Sequence, residues 1–242
     1  MVNFLEKDKY GFFDLVEITR LLRSPGGCPW DMEQTHKSIR MNFVEEVFEA
    51  CEAIDNDDPV LLLEELGDVL AQVVFHAELE TEAGRFDIDD VADGVCKKFI
   101  ARHPHVFGDV SAETSDEVLK NWDDIKRRGK KQENHTSVMD SVARSLPSLM
   151  RAEKLLGKAK KAGLPERSIE ELSKSVSDEL ARGEDMDIAE VLMDVVKIAR
   201  VLGVNPEQEL DSKNERFIET FRKLEERGGD LKEVLSENAD KL

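Results

Sequence analysis

The stretch FVEEVFEACEAIDNDDPVLLLEELGDVL, residues 43–70, decides how this chain is read. Its apolar residues recur at helical spacing on both sides of a short polar break. Asp58 is a good N-cap with Pro59 in the first helical position, so one helix ends near Ile54 and the next starts at Pro59. A connection this short predicts an antiparallel hairpin. Between Met41 and Gly84 there are 13 acidic residues and no lysine or arginine. Surface helices normally interleave cations, and like charges one turn apart destabilise a helix.

At about 100° per residue, Glu46 and Glu49 lie roughly 60° apart on one face of the first helix, and Glu65 and Asp68 do the same on the second. The second helix is otherwise oily. Leu62, Leu66, Val69, Leu70, Val73 and Ala77 form an apolar arc, and Glu65, Asp68, Gln72 and His76 form a polar stripe opposite. Facing stripes bring four carboxylates together, and such a group needs a cation to stay ionised. Carboxylate oxygens are hard donors that suit Mg²⁺, Mn²⁺ or Ca²⁺ rather than zinc. A divalent metal site fits the pattern better than a solvated acidic face, and mid-helix Gly67 is read as a point of close approach.

Outward from this hairpin the chain is helical throughout, and the expected fold class is all-α. Helices are predicted over 12–23, from about Ile39 to Ile54, from Pro59 to near Gly84 and from about Asp87 to Pro104. Thr114 with Glu117 announces another, reaching about Arg128. CPWDMEQTH, residues 28–36, reads as an ordered loop. The polar run GKKQENHTS, 129–137, reads as a linker, followed by helices over 147–162, 168–182, 186–203 and 206–227. ELGDVLAQVVFHAE (65–78) aligns without gaps on DIAEVLMDVVKIAR (187–200), which points to a tandem duplication with domains 1–134 and 135–242.

The chain has 242 residues and a formal charge of −19, with 34 Lys+Arg against 53 Asp+Glu, which argues against a nucleic-acid partner. MVNFLEKDKYGFF has no apolar leader core and no run approaches a membrane span, so a cytoplasmic protein is expected. Cys28, Cys51 and Cys96 match neither a disulfide framework nor a zinc ribbon, and Cys51 and Cys96 are expected as small core residues. His103 and His105 read as structural. His76 reads as a hydrogen-bonding partner beside the acidic stripe.

The pattern E-E-x-x-E (Glu45, Glu46, Glu49), followed after 15 residues by E-x-x-D (Glu65, Asp68), resembles the signature of MazG-type nucleoside triphosphate pyrophosphohydrolases. GCPWDMEQTH (27–36) and RHPHVFGDVSAETSDEVLKNWDDIK (102–126) resemble long stretches of the same proteins, and the second half resembles their C-terminal repeat. The resemblance implies four-helix-bundle-like domains of the all-α NTP pyrophosphatase type, usually dimeric, that hydrolyse an NTP to NMP and pyrophosphate. It places Mg²⁺, with Mn²⁺ as an alternative, on Glu46, Glu49, Glu65 and Asp68. Glu45 would help position the attacking water; geometry alone does not separate it from Glu46. Lys98 and Arg102 match the family's phosphate-contacting cations, with ordinary surface cations ahead of a helix C-terminus as the other reading. Trp30 is a candidate for base stacking, with covering of the core as the other reading.

In the second half the E-x-x-D position becomes Asp187 and Glu190, and the E-E-x-x-E region becomes KSVSD (174–178), leaving Asp178. The first half is therefore expected to carry the active site and the second to serve dimerisation or regulation. The competing readings are a related pyrophosphohydrolase specialised for dUTP, dCTP, a modified nucleotide or phosphoribosyl-ATP, and a non-catalytic helical scaffold that binds metal structurally.

Overall fold

The computed structural model describes residue 4, residues 6–112, 114, 115, 117, 118 and 125, and residues 135–226, and among them no strand occurs. The chain divides into two compact units, residues 1–126 and 127–242. The first contains α1 (Phe12–Arg23), α2 (Pro29–Glu33), α3 (Arg40–Asp55), α4 (Pro59–Glu82), α5 (Ile88–Arg102) and α6 (Pro104–Phe107). Local chemistry fixes the starts. The Asp58 carboxylate accepts from the Val60 and Leu61 amides at 2.9 and 3.0 Å. Asp87 and Asp90 form a reciprocal capping box ahead of α5.

The α3–α4 hairpin is the centre of this unit. Ala50 and Ala53 are buried on α3, and their short side chains let the two backbones approach closely. Val74 and Ala77 are buried further along α4, where the end of α1 lies against it.

Three expectations change here. The α4 arc does not face inward along its whole length: Leu66 and Leu70 are exposed, with Val60 and Leu63, whereas Glu65 is buried. The reason is that α3 packs on the acidic side of α4, which leaves Leu66 and Leu70 of the arc uncovered among the described residues. Gly67 marks no close approach, since a Cβ there would meet nothing within 4 Å. Cys51 and Cys96 are exposed rather than core: Ala50 and Ala53 occupy the buried face of α3, and α5 buries none of its residues fully.

CPWDMEQTH folds its first part into α2, and the turn before it explains the double glycine. A Cβ on Gly27 would sit 2.3 Å from the Leu22 carbonyl oxygen, and Gly26 has φ +90. Only glycine lets the chain double back so that the Cys28 amide bonds Leu22 O at 2.7 Å.

The second unit contains α7 (His135–Asp140), α8 (Ser148–Lys161), α9 (Ile169–Leu180), a 3₁₀ turn (Gly183–Asp185), α10 (Ile188–Leu202) and α11 (Pro206–Glu226). Ser168 and Glu171 form a capping box for α9, and Gly203 ends α10 in the left-handed conformation. Central α10 buries Val196 and Ala199, the positions that align with buried Val74 and Ala77 of α4. Residues 135–137 are helical rather than linker, as burial of Val142 beyond α7 anchors this segment; residues 129–134 lie outside the described residues. So does most of the helix expected from Thr114 to Arg128, although the Glu117 amide does bond Thr114 Oγ1 at 3.3 Å.

Candidate active site

The hairpin brings Glu46 and Glu49 of α3 against Glu65 of α4, with one carboxylate oxygen from each lying within 4.8 Å of the others. Glu65 is buried, Glu46 half-buried and Glu49 exposed. Burial pushes the Glu46 carboxyl above its ordinary range, and the charges of Asp68, Glu49 and Glu65 push it further. Glu65 is raised in the same way, by burial first and then by Glu49 and Asp68. In both, burial and the neighbouring carboxylates act in the same direction.

These donors fit a hard divalent ion. Octahedral Mg²⁺ with ligands at about 2.1 Å spans about 4.2 Å between opposite oxygens. With all three oxygens within 4.8 Å of one another, side-chain adjustment could bring them onto one such ion. All three donors are carboxylates, with no thiolate or imidazole among them.

Asp68 stands one turn beyond Glu65 on α4, exposed and outside the trio, with its charge acting on both Glu46 and Glu65. Glu45 is exposed and also outside the trio. The structure thus separates it from Glu46, which the sequence pattern alone does not. Lys98 and Arg102 lie one turn apart in the last part of α5, the first exposed and the second half-buried. Trp30 sits at the start of α2 with its side chain largely exposed, which removes the core-covering reading. His103 Nδ1 lies 2.6 Å from Phe99 O at the end of α5, a structural contact.

Motif reading misses the residues that hold the Trp30 segment in place. Arg23, whose side chain is only 5% exposed, grips both oxygens of Glu82 at 2.7 and 2.8 Å. It also donates to the backbone carbonyls of Asp31 and Gln34 and lies over the Phe75 ring. Beyond α2, His36 contacts Glu80 through Nε2 at 2.6 Å and His76 through Nδ1 at 2.7 Å. Arg85 pairs with the same Glu80 and, with His36, holds its carboxyl down at about 2. No short-range pattern announces these contacts, since Arg23 and Glu82 are 59 residues apart.

Comparison with known proteins decides the family. Residues 34–107 match the model of the MazG nucleotide pyrophosphohydrolase domain, a span that includes the whole acidic hairpin. The chain is 37% identical to the nucleoside triphosphate pyrophosphohydrolase/pyrophosphatase MazG of Thermotoga maritima, covering 89% of this chain and 86% of that one. The chain belongs to the MazG nucleotide pyrophosphohydrolase family. A further MazG-family similarity, 39% identity, is to the nucleoside triphosphate pyrophosphohydrolase of Escherichia coli K12, over 87% of this chain and 86% of that one. It is also 38% identical to YabN of Bacillus subtilis over 93% of this chain, which spans about half (49%) of that longer protein.

Set against the MazG acidic motif, the second unit has put its acids to other uses. Asp187 caps α10, accepting from the Ala189 and Glu190 amides at 2.9 and 3.2 Å. Its counterpart Glu65 lies well inside α4, which begins at Pro59, whereas α10 begins at Ile188; the second unit lacks the turn that would carry Asp187 onto a helix face. Asp178 pairs with Lys174 at 2.5 Å and Glu179 with Arg182 at 3.0 Å. Among the described residues, Glu46, Glu49 and Glu65 are the one group of three or more carboxylates close enough to share a metal.

Proposed function

We propose that this MazG-family chain hydrolyses nucleoside triphosphates to nucleoside monophosphate and pyrophosphate at the α3–α4 hairpin of its first unit. The observation that carries the reading is the trio Glu46, Glu49 and Glu65, gathered within 4.8 Å with Glu65 buried and Glu46 half-buried. Mg²⁺, or Mn²⁺ in its place, is held by these three with Asp68. When bound it neutralises the triphosphate and makes water more acidic.

The chain's own groups do the rest. The proton affinities of Glu46 and Glu65 are raised by burial and by neighbouring carboxylate charges, so a bound cation would relieve that repulsion and release any protons they hold. Glu45, outside the donor trio, orients the attacking water and receives its proton. The water oxygen bonds to the α-phosphorus as the bond to the oxygen bridging to the β-phosphate breaks, and pyrophosphate leaves with that oxygen. Lys98 and Arg102 steer the phosphates, and Trp30, exposed on its tethered segment, offers a face to the base.

The protein acts as a homodimer in this reading. Val60, Leu63, Leu66 and Leu70 form an exposed apolar stripe at helical spacing on α4, and Val47 and Phe48 of α3 are exposed as well. A second copy of the hairpin would cover that stripe and complete a four-helix bundle. The three cysteines are free, as suits a cytoplasmic enzyme. The second unit, with its acids diverted, is a degenerate repeat, residues 135–242, following an active domain, residues 1–134. Pyrophosphate release from NTPs and dNTPs with and without Mg²⁺ tests the reading; metal-dependent thermal stabilisation without turnover would favour a scaffold instead.

A further inference from the structure

The second unit has a partly open pocket of about 160 Å³ among α8, the segment after it, and α9 and α10. Its walls are apolar: Leu156, Leu164, Pro165, Leu172 and Val201. Four cations also line it, Lys160, Arg167, Lys197 and Arg200, against the single acid Glu166. In a chain with 34 basic and 53 acidic residues, that local excess runs against the overall charge.

The gapless alignment of 65–78 on 187–200 sharpens this. Lys197 stands where the first unit has Phe75, and Arg200 where it has Glu78. Two α10 positions lining the cavity thus carry cations where the matching helix carries a phenyl ring and an acid.

The cations differ in how firmly they are held. Lys197 bonds the fully buried Asp194 at 2.6 Å and lies 3.9 Å from Glu190, while Arg200 bonds Glu153 through both its side chain and its carbonyl. Those two are fixed. Arg167 reaches Asp194 only at 3.8 Å and also donates to the Glu171 carbonyl, and Lys160 pairs with Glu166 at 2.7 Å. The side chains of Arg167 and Lys160 are about half exposed, at 43% and 55%. Both can turn toward an incoming anion without uncovering a buried charge, because Lys197 still satisfies Asp194.

We propose that this cavity binds a small amphipathic anion, one aromatic ring in the apolar chamber with its phosphate or carboxylate on Arg167 and Lys160. The volume supports one ring: an apolar cavity of about 150 Å³ takes up benzene. The site lies apart from the acidic trio, involves none of its residues, and does not depend on the function proposed for them.

Methyl NMR of the full chain, with EDTA present to keep anions off the acidic site, tests the assignment with phenyl phosphate, benzoate and benzene as probes. The expected result is a saturable shift of the Leu156, Leu164 and Val201 methyl signals with at least one anion, stronger than with benzene. Phenyl phosphate alone would identify a phosphorylated ligand, and benzoate alone a carboxylic acid. Arg167→Gln is expected to weaken binding about tenfold, the loss of one charge-assisted hydrogen bond. Val201→Phe, which fills the cavity from its exposed edge, is expected to abolish it, and Glu49→Ala to leave it unchanged. No saturable shift with either anion at millimolar concentration, or undiminished binding in Val201→Phe, overturns the proposal.

Discussion

Arg23 is the residue whose replacement tests the architecture of the first unit most severely. Its guanidinium, almost fully covered, joins α1, the Trp30 segment and α4 through Glu82, two backbone carbonyls and the Phe75 ring. In Arg23→Met the two carbonyls lose charged donors, each worth about 1.5 kcal/mol or more. The ring contact adds about 0.5–1 kcal/mol. Glu82 is 41% exposed and rehydrates, so its pairing adds at most about 1 kcal/mol. Methionine recovers part of the packing, leaving a net loss of about 3 kcal/mol and a fall in Tm of about 10 °C for a unit of this size. Arg23→Lys keeps the charge but not the planar fork, and should fall between the two. Thermal unfolding followed by circular dichroism reads the stability. Trp30 fluorescence in a Trp122→Phe background reads the segment, with freer quenching expected in Arg23→Met. A Tm within about 2 °C of the parent, with unchanged quenching, would refute the claim that Arg23 holds this segment.

Four further outcomes follow from the same geometry. Glu46→Gln should raise the Tm of the metal-free chain, because it removes one of several crowded negative charges, and should abolish the stabilisation that Mg²⁺ gives the parent; that stabilisation should approach about 2.7 kcal/mol at one hundred times the dissociation constant. The His76 imidazole is held below its ordinary 6.5 by burial and by His36, so it favours the folded state above that value and stability should decline as pH falls through and below 6.5. Urea titrations at several pH values should show this decline shrink in His76→Phe. Glu80, held at about 2, contributes stability above its ordinary 4.5 that is lost as pH falls toward 2, and Glu80→Gln should flatten that limb. Leu63→Lys, on the exposed α4 stripe, should shift the proposed homodimer to a monomer by light scattering while leaving the helical content intact.

Much of this was legible because it is local. Asp58–Pro59, Asp87–Asp90 and Ser168–Glu171 are caps, and each starts its helix where the residue pattern says it should. Three of the four carboxylates placed on facing stripes do meet, since spacing along two helices joined by a short turn leaves little choice. What was not legible is set by packing over long separations. The α4 arc looked like core, yet Leu66 and Leu70 face outward because α3 covers the acidic side, where Ala50 and Ala53 permit a close fit. Cys51 and Cys96 failed for a related reason: periodicity tells that a helix has a buried face but not which residues of a weakly amphipathic one occupy it. The tethers Arg23–Glu82 and His36–Glu80 join polar residues that in sequence resemble any other surface group.

The most direct test of the central claim is pyrophosphate release from NTPs and dNTPs in Mg²⁺ by three forms of the full chain: the parent, Glu49→Ala, and the double variant Asp187→Ala/Glu190→Ala. The account predicts metal-dependent release by the parent and the double variant, and loss of at least about a hundredfold in Glu49→Ala, as expected when a metal-holding carboxylate is removed. Release that survives Glu49→Ala but disappears in the Asp187/Glu190 variant would contradict it and move catalysis to the second unit.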